Sequence, residues 1–99
     1  MTEFARESSM TINGGGTSQS VAMTTTAASS TAIDAPSLVI YVSADCFVRA
    51  GLNPTAVSTG VDQFLIGSNQ IRIEPWIPGN KLSLVMASGT GTAYITPGV

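Results

Sequence analysis

Residues 38–51 read LVIYVSADCFVRAG, and this stretch decides the fold. Leu38 to Val42 is an unbroken run of β-branched, aromatic and aliphatic side chains, as in a strand covered on both faces. Ser43-Ala44-Asp45 breaks it. Cys46, Val48 and Ala50 then alternate with Phe47 and Arg49, which is the period of two of a half-buried strand. Gly51-Leu52-Asn53-Pro54 closes that strand with loop chemistry.

The same rhythm extends in both directions. Upstream, Val21, Met23 and Thr25 alternate with Ala22, Thr24 and Thr26, and Ala35-Pro36-Ser37 signals a turn. Downstream, Gln63 to Ile66 is a short strand, and Gly67-Ser68-Asn69 turns into Gln70 to Ile77. There Ile71, Ile73 and, at the strand's end, Ile77 share one face, with Arg72, Glu74 and Trp76 on the other. Pro75 and Pro78 mark that strand as an edge or a frayed end, because proline donates no ladder hydrogen bond. Pro78-Gly79-Asn80 turns again, and Lys81 to Ala87 puts Leu82, Leu84 and Met86 inward and Lys81, Ser83 and Val85 outward. Gly91 to Thr96 is the last strand, stopped by Pro97-Gly98. Apolar residues never recur at helical spacing, and Thr24 to Ile33 allows at most one helical turn. The expectation is an all-β domain of six to eight short antiparallel strands, a β-sandwich or small barrel.

Ninety-nine residues fit one domain. Charged residues make up only 10% of the chain, against a usual share of about 25%. Ser, Thr, Gly and Ala must therefore cover the surface, and a net charge of -2 opposes association only weakly. Residues 1–19 read as a tail and 20–99 as the β domain, since SSMTINGGGTSQS (8–20) is rich in glycine and poor in large apolar side chains. The tail is either a disordered end or an arm that orders against a neighbouring subunit through Met10 and Ile12. Arg6, Arg49, Arg72 and Lys81 are too dispersed for a nucleic-acid footprint, and no window is apolar enough for a membrane helix. The N-terminus has no apolar signal segment, and a single cysteine points to synthesis in a reducing cytoplasm.

Catalytic chemistry finds few materials. There is no histidine, and Cys46 lies on the strand face opposite Arg49, so it reads as a small core residue. Glu3 and Glu7 fall in the tail, while Asp34, Asp45 and Asp62 stand beside turns. Gly14-Gly15-Gly16 is followed by no G-K-[ST], and no clustered acids suggest calcium. The expectation is no enzyme and no cofactor. Trp76 reads as a cap on the core, a subunit contact or, less readily, a sugar platform. With it, Phe47, Arg49, Arg72 and Val85 point outward and are candidate interface residues.

Residues 38–97 resemble small virion proteins of tailed bacteriophages. The resemblance rests on Cys46 to Ala56 (CFVRAGLNPTA), Asp62 to Leu65 (DQFL), Pro78 to Ser83 (PGNKLS) and Gly89 to Thr96 (GTGTAYIT). It implies a jelly-roll-like β-sandwich used as a capsid decoration or cement protein, or as a head–tail accessory subunit. The implied partners are the major capsid protein or other virion subunits, and its own copies, with a trimer favoured. A carbohydrate- or host-surface-binding module on a fibre, spike or neck is the competing expectation.

Overall fold

Eight strands follow one another: β1 (Gln19–Met23), β2 (Ala28–Ser29), β3 (Ser37–Val42), β4 (Cys46–Gly51), β5 (Gln63–Leu65), β6 (Asn69–Ile73), β7 (Lys81–Val85) and β8 (Gly91–Gly98). They are seen in a computed structural model that describes residues 18–60 and 62–98. Two four-stranded antiparallel sheets face each other, in the orders β1-β8-β3-β6 and β2-β7-β4-β5. Among these eight strands only β4 and β5 are both consecutive in the chain and hydrogen-bonded neighbours; each of the other connections crosses from one sheet to the other. This is the strand order of a jelly roll, two interlocked Greek keys.

Alternation builds the core. Leu38, Ile40 and Val42 of β3 point inward beside Ala93 and Ile95 of β8, and all five are at most 1% exposed. Met23 joins them from β1, and Cys46 and Leu84 meet them from the facing sheet, each fully buried. Turns are held by specific contacts. Gly67, between β5 and β6, lies so close to the β3–β4 loop that an added Cβ would stand 2.6 Å from the Ala44 Cα. Its N–H donates to Asp45 Oδ1 at 2.7 Å.

Three local expectations are corrected. Thr24 to Ile33 contains no helical turn; it holds β2, which pairs Ala28 with Leu84 and Ser29 with Ser83. The β6 strand ends at Ile73, short of Ile77, so period-two parity stops applying before Trp76. Trp76 is therefore buried, at 5% exposure, where the extended pattern had it facing outward with Arg72 and Glu74. Val85 does lie on the outer face of its strand yet is only 4% exposed, as is its neighbour Ser83 at 0%. Parity was right for both; a loop and aromatic side chains cover that face. Met10 and Ile12, with the rest of residues 1–17, lie outside the described residues.

Candidate interaction surfaces

The outer face of the β2-β7-β4-β5 sheet is largely closed by the chain itself. After β4, residues 52–60 fold back across it, and Ala56, itself buried, donates its N–H to Ser83 Oγ at 2.9 Å. Asp62 anchors the return. Its Oδ2 accepts the Val57 N–H at 2.7 Å and its Oδ1 accepts Arg49 Nε at 2.8 Å. The Val57 N–H, and after it the Arg49 guanidinium, hold the Asp62 carboxyl below the usual carboxylate range. Phe47, half-buried, packs on Phe64 with ring centroids 5.1 Å apart, opposite Val85 on β7. Three of the residues expected at an interface, Phe47, Arg49 and Val85, thus have partners within the chain.

Trp76 is likewise committed inside. Its backbone N–H reaches Pro36 O at 2.7 Å and its Nε1–H reaches Ile33 O at 3.1 Å. A buried indole satisfied in this way caps the end of the core. It offers no flat ring to a sugar. Arg72 of β6 pairs with Glu74, just beyond the strand's end, at 2.7 Å, and the pair marks one corner of the other sheet.

That other sheet presents an open aromatic face. Tyr94 and Tyr41 stand on adjacent strands, 6.1 Å apart by centroid, in a row that runs Ser20, Tyr94, Tyr41, Gln70 across all four strands. They are 52% and 36% exposed. Thr92 and Thr96 flank them on β8. Sequence reasoning missed both tyrosines. Tyr41 was hidden in the apolar run 38–42, although strict alternation places it opposite Leu38, Ile40 and Val42; Tyr94 alternates with Ala93 and Ile95 in the same way.

A second open region is the seam where the sheets part. β5 and β6 are joined at Ile66–Ser68 and diverge from there into different sheets. Between them opens a cleft of about 560 Å³, lined by Val48, Leu65, Ile71, Ile73, Trp76 and Leu82, with Arg72, Glu74 and Asn80 at its rim. Ile71 and Ile73 face the interior but are only half-buried, and Ala50 opposite is exposed. Two isoleucines flank the seam in open solvent, Ile66 at 60% and Ile77 at 68%.

Reactive groups are scattered. Burial, and then the neighbouring Asp45 charge, push the Cys46 thiol up to about 11, so it carries no thiolate at neutral pH. Among the described residues no three His, Cys, Asp or Glu side chains come together as a metal site. No protein-family model, curated protein or solved structure matches the chain.

Proposed function

We propose that this chain is a non-enzymatic structural protein of a virion, a decoration or cement protein that binds and stabilises a phage head. The observation that carries the reading is the uncharged aromatic face around Tyr41 and Tyr94, on a jelly-roll framework. Aromatic side chains on a rigid sheet lose little conformational entropy on contact and are enriched in interface hot spots. Jelly rolls recur in viral capsid domains, and the sequence resemblance points the same way. Cementing needs no bond chemistry: a subunit that binds the assembled lattice and not its dissociated parts shifts the equilibrium towards the particle by mass action. In this reading the protein is made in the host cytoplasm and ends on the capsid surface or in the head–tail region, with the major capsid protein or another virion subunit as partner.

The test is co-sedimentation of the full chain with purified heads. Saturable binding is expected, together with a higher temperature of head disruption. Tyr41→Ser with Tyr94→Ser should weaken binding by tenfold or more, about 1.4 kcal/mol or above, as for an aromatic hot-spot pair. No binding to heads, or equal binding by the double variant, would overturn the reading.

The same two tyrosines favour a second reading, a glycan-binding module. Neutral rings flanked by Ser20, Gln70 and Thr92 offer stacking surface and hydrogen bonds suited to an uncharged sugar. A glycan array separates the two, because a cement protein is silent on it.

A further inference from the structure

Sheet β1-β8-β3-β6 ends on β6, whose outer edge pairs with no other described strand. An unpaired edge is a template for another strand, and proteins that stay monomeric shield it. Here the edge coincides with incomplete burial: inward-facing Ile71 and Ile73 are half-exposed to the cleft, and Ile66 and Ile77 stand in solvent beyond the two ends of the strand. We infer that β6 pairs antiparallel with β6 of a second copy, about a two-fold axis at Ile71, joining two sheets into one of eight strands and closing the two clefts against each other. The inference deepens the proposal that the chain works by binding other subunits, and it is tested in the absence of any capsid.

Register chooses the axis. When the sheet continues across a two-fold, opposed residues must share a face, so the axis passes through a residue of the strand. Centred on Arg72, two like charges would oppose each other. Centred on Ile73, Ile71 would face Pro75, which has no N–H to give. Centred on Gln70, Arg72 would face Ser68, which has left the extended region at a φ of 62°. Centred on Ile71, all five residues Asn69–Ile73 find a partner: Ile71 meets Ile71, Ile73 meets Asn69, and Arg72 meets the neutral Gln70 amide. The antiparallel arrangement also brings the Ile66 turn of one copy alongside the Ile77 end of the other. Both isoleucines leave solvent together. The contact is isologous, so its first product is a dimer rather than the trimer that the phage resemblance suggests.

Sedimentation velocity of the full chain tests this, at about 100 µM so that a contact of micromolar Kd is filled. The expected species has twice the 10.1 kDa mass of the chain. Gln70 is exposed, so its replacement leaves the fold intact. Gln70→Arg sets like charges across both symmetric contacts and should weaken the dimer by about two- to thirty-fold, and Gln70→Glu should tighten it by a similar factor. Under mild oxidation Ile71→Cys should form a covalent dimer, and Ala22→Cys, on the opposite edge strand β1, should not. A monomer or a trimer at that concentration overturns the inference. So do equal association of the two Gln70 variants and cross-linking through position 22 in place of 71.

Discussion

Of two buried serines, only one should lose stability on replacement by alanine. Ser83 is 0% exposed, and its Oγ accepts the N–H of Ala56 at 2.9 Å, the bond that fastens the loop after β4 to the sheet beneath. Ser83→Ala removes the acceptor and leaves a donor stranded on a residue that is only 3% exposed. A buried donor without a partner costs about 1–3 kcal/mol. For a domain of this size each kcal/mol is worth about 4–8 °C, so Tm should fall by roughly 5–20 °C. Ser37 is 2% exposed, but its hydroxyl has no hydrogen-bond partner among the described residues. Its desolvation is already suffered without return. Ser37→Ala orphans nothing and should be neutral or stabilising by up to about 1 kcal/mol. Urea unfolding followed by the fluorescence of Trp76, the only tryptophan, measures both. At constant m the Ser83→Ala midpoint should fall while that of Ser37→Ala holds or rises, since neither change alters the surface exposed on unfolding. If Ser83→Ala stays within about 0.5 kcal/mol of the parent, or Ser37→Ala loses more than Ser83→Ala, the hydrogen-bond assignment on this face is wrong.

Other consequences are open to direct measurement. The Asp62 carboxyl sits below its unfolded value of about 3.9, so its contribution is complete above that pH and is lost as pH falls through the lower, folded value. Acid titrations of stability should show this loss in the parent and not in Asp62→Asn. For Cys46 the shift is upward, to about 11 against about 8.5 when unfolded, so stability is full below about pH 8.5 and declines as pH rises towards 11. Cys46→Ala should flatten that alkaline decline, and at pH 8 the native thiol should react with a thiol reagent only as fast as the chain unfolds. Gly67→Ala drives a methyl into the Ala44 backbone and should cost about 1–3 kcal/mol in chemical denaturation. Trp76→Phe removes the donor to Ile33 O and part of a buried ring system; a loss of about 1–3 kcal/mol is expected by calorimetry, and a change within 0.5 kcal/mol would mean that the indole does not cap the core.

Alternation along the chain was enough to establish strand content, and with it the inward set Cys46, Val48, Leu82, Leu84 and Met86, whereas the run Leu38–Val42 read as covered on both faces although Tyr41 stands open. It is a local property, imposed by the pleat on any strand with one wet and one dry face. The scarcity of charge and the lack of histidine were likewise plain from composition. Which strand lies beside which was not, because a jelly roll pairs strands distant in sequence, such as β1 with β8 and β3 with β6. The outer faces depended on tertiary structure for the same reason. Ser83 and Val85 point outward by parity and are dry because other parts of the chain cover them, while Trp76 turned inward once β6 ended at Ile73. Tyr41 and Tyr94 became one aromatic patch only when β3 and β8 met. A strand's own residues dictate which side chains share a face; whether that face meets water, a loop or another subunit is decided by parts of the chain far away.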